Sequence, residues 1–303
     1  MRRAILLLFV ALSAGCATAR PRPSEIDAAV ATAERRCQCR VGVAARHLES
    51  NRSYEHNAEV EFESASVIKI AVLTEAIAAV REGRVDLSER WELTLENKAD
   101  GSGTLLLLDP GLNPTWNDLA TLMIGPSDNT ATNAWIERLS VDSINARMRS
   151  LGFEHIRLFG AIPKLSTRDD SPSPWKGLKL GAITPHDVAE WMTRVARGEL
   201  FDAESSKKIF DYLDKDPSRL RIARRFPSDV LWAGKTGTMS GVRNDSGILR
   251  NRKGRFVLVI FTADSQAEGW GADHPAVLAI SNLARAIVDA WSRDLPDIVE
   301  KPE

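Results

Sequence analysis

Strand-forming segments lie only toward the two ends of this 303-residue chain, and helical patterns fill the middle. Residues 40–49 alternate as a strand, turn through Ser50-Asn-Arg-Ser53, and enter a second strand near residues 54–56. In the C-terminal third, strands are expected at 230–234, 245–249 and 255–263, with Asn251-Arg-Lys-Gly254 as a hairpin turn between the last two. Ser24 is placed to cap a first helix through about residue 36, and a final helix is expected over about 275–291. Between these ends the pattern is helical at 66–82, 116–124, 129–139, 142–151 and 185–197, with no strand run of any length. The expected fold class is therefore α/β (α+β): an antiparallel β-sheet flanked by helices and built from both termini, residues 24–65 and 205–303. An all-α domain, 66–204, is inserted in it, and a site belongs in the cleft between them.

Composition narrows the partner. Forty basic and forty-one acidic residues leave a net charge of -1, so no global field draws the chain to nucleic acid or an anionic membrane. A hydrophobic content of 44% suits a soluble globular protein, expected to act as a monomer on a small, locally recognised molecule. The five histidines, His47, His56, His155, His186 and His274, form no HExxH motif or close pair, so no zinc enzyme is expected. Cys37 and Cys39 are too few for a metal site and one residue short of the usual redox spacing. They read as incidental thiols or a local disulfide.

Residues 1–16 combine a basic start, an apolar segment too short to span a bilayer, and small residues before a cysteine, which is an export signal. Leu12-Ser-Ala-Gly-Cys16 is similar to a bacterial lipoprotein cleavage box, with Cys16 the lipidated first residue. Ala17-Thr-Ala19 offers a competing cut of the small-x-small kind. Residues 17–23 then serve as a linker, and the expected location is periplasmic, with lipid attachment to the envelope as the only membrane contact.

Three short motifs carry chemistry. Ser66-Val-Ile-Lys69 opens a long apolar run, and a lysine on the buried side of a helix is costly unless something there needs it. A serine in a first helical turn lies near unpaired N–H groups, and a lysine three residues on projects from the same face. Desolvation would lower that lysine's pKa until it can take the serine's proton. Alone, the motif is also met by a capping serine with a lysine snorkelling to the surface. Two further Ser-x-x-Lys pairs, Ser173/Lys176 among prolines and Ser205/Lys208 in a charged stretch, lack the buried helix. Ser127-Asp128-Asn129 stands at a helix start and by itself is a serviceable N-cap. Lys235-Thr236-Gly237 ends a strand, with a glycine that would let a ligand approach the strand edge.

Together and in this order, the three motifs form the set found in class A β-lactamases and penicillin-binding proteins. From about Val41 to Trp291 the chain resembles the class A β-lactamase-like serine hydrolases. Supporting text includes Pro110-Gly-Leu-Asn-Pro-Thr-Trp, Thr184-Pro-His-Asp and Gly241-Val-Arg-Asn-Asp-Ser-Gly247. The resemblance implies Ser66 as acylated nucleophile, Lys69 as its proton acceptor and Ser127 as proton relay to the leaving nitrogen. Asn129 would hold Lys69 and the substrate amide. Lys235, Thr236 and Gly237 would bind the substrate carboxylate side with Arg243 as helper, and the backbone N–H groups of Ser66 and Thr238 would form the oxyanion hole. No cofactor or metal is implied.

One departure stands out. Class A enzymes carry a glutamate before a proline in a loop after the middle helices, followed by leucine and asparagine. Aligned on Arg157-Leu158, Pro163 and Leu165, the glutamate position here holds Ile162 and the asparagine position Ser166. No carboxylate occurs between Glu154 and Asp169. An isoleucine cannot activate water, so deacylation is expected to be slow unless Asp169 or Asp170 folds back or Lys69 serves instead. Those aspartates equally suit a loop turn or ion pair. The expected function is an exported β-lactam-reactive serine hydrolase. Its rivals are a peptidoglycan D,D-carboxypeptidase or esterase acting on a peptidoglycan-derived substrate, and a non-catalytic penicillin- or cell-wall-binding lipoprotein.

Overall fold

The structure, a computed structural model, describes residues 24–164 and 180–298; Cys16, Ser166, Asp169 and Asp170 lie outside the described residues. Helix α1 (Glu25–Cys37) starts with Ser24 and Asp27 in a reciprocal capping box. Strands β1 (Arg40–His47) and β2 (Arg52–His56) form the N-terminal hairpin. Near the other end, β6 (Leu231–Met239), β7 (Val242–Asn251) and β8 (Gly254–Ala263) complete one antiparallel sheet in the order β2-β1-β8-β7-β6. The two chain ends are joined along β1 and β8, from Arg40 opposite Ala263 to His47 opposite Phe256.

The period of two along β8 divides the core. Val257, Val259 and Phe261 face the helices of the middle segment, while Phe256, Leu258 and Ile260 face α1 and the final helix α8 (Pro275–Ser292). The middle segment contributes α2 (Lys69–Arg81), α3 (Trp116–Ile124), α4 (Asn129–Leu139), α5 (Val141–Ser150) and α6 (Pro185–Arg197), followed by α7 (Ala203–Leu213). Helix α2 is buried from Lys69 to Ala79, so it is the post around which the other helices pack.

Some sequence expectations need correction. The middle segment contains strands after all: β4 (Arg157–Leu158) and β5 (Gly181–Ile183) join β3 (Phe62–Glu63), which precedes it, in a small antiparallel sheet, β3-β5-β4. Strands of two or three residues are too short to show a period. The two C-terminal strands β6 and β7 run longer than their patterns suggested, so Lys235-Thr236-Gly237 lies inside β6 rather than at its end. Cys37 and Cys39 are joined as a disulfide.

Glu75, 2% exposed on α2, accepts hydrogen bonds from Arg84 and from Arg147 of α5, each at 2.7 Å. Glu82 accepts from the same two arginines, so both keep a carboxylate partner when Glu75 is lost, and the cost lies in the opened buried face of α2. Glu75→Ala is expected to cost about 1 to 2 kcal/mol of unfolding free energy in a denaturant titration.

Candidate active site

Ser66 sits in a short 3-10 turn, Ala65–Ile68, that leads into α2. The residue before it, Ala65, has φ 44, a left-handed conformation that costs a non-glycine residue about 1 kcal/mol. Neighbours hold the turn there. Asn244 of β7 donates from Nδ2 to the carbonyls of Glu63 (2.8 Å) and Ser64 (3.3 Å), and the Ser64 N–H donates to the Gly181 carbonyl at 3.0 Å. On the edge strand β6, a Cβ at Gly237 would stand 2.8 Å from the Ser64 carbonyl and 3.2 Å from Ala65 Cβ. The glycine thus admits the Ser66 turn against the strand, a role the sequence alone assigned to ligand approach.

Lys69 is fully buried. Its Nζ lies 2.7 Å from the Ser127 carbonyl, 2.8 Å from Asn129 Oδ1 and 3.1 Å from Ser127 Oγ. Burial first, and then the charge of Lys235, hold its pKa well below the ordinary lysine range, against the opposing pull of Asp128. A neutral amine has two N–H donors and one lone pair. Donation to the Ser127 carbonyl and Asn129 then leaves the lone pair to accept a proton.

Ser127 has φ 59, and its loop is fixed from both sides. Asp128 accepts the N–H groups of Ala131 (2.9 Å) and Leu105 (2.7 Å), while Ser102 donates to the Ser127 carbonyl at 2.8 Å. Gly103, φ 136, allows this contact, because a Cβ there would lie 2.5 Å from the Asp128 carboxyl. Asn129 Nδ2 is taken by the Asp100 carbonyl at 2.7 Å.

A second cationic group lies along β6. Lys235 is fully buried, and its Nζ has no hydrogen-bond partner among the described residues; the nearest carboxylate oxygen, on Asp216, is 4.0 Å away. Burial lowers its pKa, against the stabilising charge of Asp216. Thr236 is half-buried and Thr238 exposed on the same strand. The sequence reading missed Arg221, which donates to the carbonyls of Gly237 (2.8 Å) and Asn244 and to Thr238 Oγ1. No motif marks it: it precedes a 3-10 turn, Ile222–Arg225, in the connection that leads into β6. Arg243, expected as the helper, instead donates to the carbonyls of Met239, Val242 and Gly269 and stacks on Trp270 at 4.9 Å.

Ile162 is clamped by its backbone and buried by its side chain. Its N–H donates to Asn133 Oδ1 at 2.9 Å, its carbonyl accepts from Asn133 Nδ2 at 2.7 Å, and the residue is 2% exposed in the main apolar cluster. Asp100 N–H to the Pro163 carbonyl, 3.0 Å, ties the same stretch to the loop beside Asn129.

The family model for the β-lactamase enzyme family matches residues 24–291. This chain belongs to the β-lactamase enzyme family. A β-lactamase of Streptomyces fradiae is 28% identical over 96% of this chain and 97% of its own. Among solved structures, a β-lactamase from Sphaerobacter thermophilus is 32% identical with a TM-score of 0.78, covering 90% of this chain and 99% of its own. PBP-A is 26% identical with a TM-score of 0.75 over 90% of this chain and 98% of its own; a point mutant of it is described as an acyl-enzyme complex with penicillin G. The fold is that of the class A β-lactamases, with an antiparallel sheet and flanking helices.

Elsewhere on this β-lactamase-family chain, Glu55, Glu59 and His186 bring possible metal-ligating atoms within 4.8 Å of one another among the described residues. They already pair with each other, and Arg46 shares Glu55, as ordinary surface ion pairs do.

The Asn244 clamp predicts a kinetic phenotype. Asn244→Ala is expected to slow labelling of Ser66 by a fluorescent penicillin about tenfold, read by gel time course, because the strained turn loses two of its restraints. With the free amine of Lys69 as the base, the labelling rate is expected to rise with pH and level off well below the ordinary lysine range. A plateau reached only within that range would place the base elsewhere.

Proposed function

We propose that this family member is an exported serine hydrolase that forms an acyl-enzyme through Ser66 on β-lactams or related amides and releases it slowly. The observation that carries this reading is Lys69, buried, with depressed basicity, one helical turn past Ser66 and in contact with Ser127 and Asn129. Neutral Lys69 takes the Ser66 proton as Oγ attacks the substrate carbonyl. The oxyanion develops between the N–H groups of Ser66 and Thr238, the latter on an edge strand. Ser127 then gives its hydroxyl proton to the leaving nitrogen and recovers one from Lys69; the C–N bond breaks and an ester to Ser66 remains. Lys235, Thr236 and Arg221 receive the substrate carboxylate. Export and lipid attachment at Cys16 rest on the basic, apolar and small-residue order of residues 1–16.

Slow release follows from Ile162. A hydrocarbon side chain at the clamped position supplies no general base, and loss of such a base removes about two to four powers of ten in rate. Intact mass after exposure to benzylpenicillin should show a persistent adduct on the wild type and none on Ser66→Ala. A wild type that never gains the adduct would refute the nucleophile assignment. Ile162→Glu is expected to raise steady-state nitrocefin turnover at least a hundredfold while single-turnover acylation changes little. Equal changes in both rates would show that release is not limited at this position.

A second reading has one observation in its favour. The apolar residue at position 162 is no defect in an enzyme that hands its acyl group to another acceptor, and PBP-A is among the similar folds. That reading makes the protein a peptidoglycan D,D-peptidase, and release of D-alanine from a muropeptide would distinguish it.

A further inference from the structure

Two carboxylates lie beneath the cationic group of β6, and the reaction as described uses neither. Asp216, side chain 3% exposed, accepts the Ser218 N–H at 2.8 Å and faces Lys235 at 4.0 Å. Asp245 of β7, 1% exposed and opposite Thr236 in the strand pairing, accepts the N–H of Ile222 at 2.9 Å and of Ser246 at 3.0 Å. The Ile222 contact is the informative one. It reaches across 23 residues to the backbone unit next to Arg221, whose guanidinium then spans Gly237, Asn244 and Thr238. Apolar packing of Ile222 and Ala223 against α8 holds that turn from outside, but apolar contacts do not fix register. The hydrogen bond to Asp245 does.

We propose that Asp245 is the positioning residue of the carboxylate subsite: by holding the Ile222 N–H it fixes Arg221 along β6, and through Arg221 it sets affinity for an anionic substrate. This rests on the reading that the cleft acylates carboxylate-bearing β-lactams. The charged groups facing Asp245 are Arg221, Lys235 and Asp216. Burial raises its own pKa to about 7, opposed chiefly by Arg221. The ionised form, which grips the N–H more strongly, is therefore lost as pH falls through neutrality.

The test compares benzylpenicillin with p-nitrophenyl acetate, an ester that carries no carboxylate. Asp245→Asn keeps the side-chain shape but turns an amide N–H₂ toward one of the two backbone donors. Its half-saturating concentration for acylation by penicillin should rise about tenfold, the loss of one charge-assisted hydrogen bond. The limiting acylation rate should change less than twofold, and the ester reaction should be unaltered. In a cycle with Arg221→Ala, the double variant should be no worse than Arg221→Ala alone, because Asp245 acts only through that arginine. Tighter penicillin binding in Asp245→Asn would mean that the carboxylate merely offsets charge; additive losses, or equal losses on the ester, would mean a general structural role. Each of these overturns the proposal. Should Asp245→Asn melt too early to assay, the wild-type pH profile decides. Penicillin affinity, unlike the ester reaction, should weaken as pH falls through about 7, and Arg221→Ala should abolish that difference; a profile without it overturns the proposal. A wild type that gains no penicillin adduct sinks the underlying reading first, and is told apart because it involves no variant.

Discussion

The burial of one lysine amine organises this molecule. Lys69 begins a helix with almost no solvent exposure over its first three turns, and a polar group in that place is tolerable only if its N–H groups are matched. Ser127 and Asn129 match them, and to do so the loop between α3 and α4 must come to α2 with Ser127 in a left-handed conformation. Asp128 caps α4 and ties down the chain at Leu105, so the same tripeptide serves helix, loop and lysine at once. The depressed basicity of Lys69 is a consequence of this packing, and it makes the group useful beside Ser66.

The second wall of the cleft solves a different problem. An edge strand offers unpaired backbone groups, and β6 brings its edge to the Ser66 turn because Gly237 has no side chain to prevent it. The strand also carries a buried lysine without a hydrogen-bond partner among the described residues and borders an arginine, with Asp216 and Asp245 beneath as counter-charges. Two cations side by side would repel each other without those carboxylates.

On the proposed reading, acylation and release draw on different parts of this architecture. The groups around Ser66 come from the α2 turn, the Ser127 loop and β6, while the Ile162 backbone is held by Asn133 and the neighbouring Pro163 carbonyl by Asp100. A side-chain change at 162 leaves these contacts in place, since at 162 and 163 they involve only backbone atoms.

Much of this was legible in the chain. Periodicity located the N- and C-terminal strands and most helices, and the three motifs named the groups that meet around Lys69, because each motif's residues are neighbours on one turn or strand. The isoleucine at 162 was visible for the same reason. What sequence did not reveal depends on contacts between segments far apart: the β3-β5-β4 sheet, whose strands are too short to carry a period, and the restraint of the Ser66 turn by Asn244. The choice of arginine is the clearest instance. Arg243 was the expectation, by resemblance, as a helper from the neighbouring strand, but its guanidinium is turned to the carbonyls of Met239, Val242 and Gly269, while Arg221 reaches Gly237 and Thr238 of β6 from a separate turn. By itself the sequence determined the candidate groups and the order of most elements, since these follow from local chemistry and pattern. Only the tertiary structure decided which charge reaches which oxygen, because a long side chain's partner is set by the backbone geometry of elements that the pattern leaves unrelated.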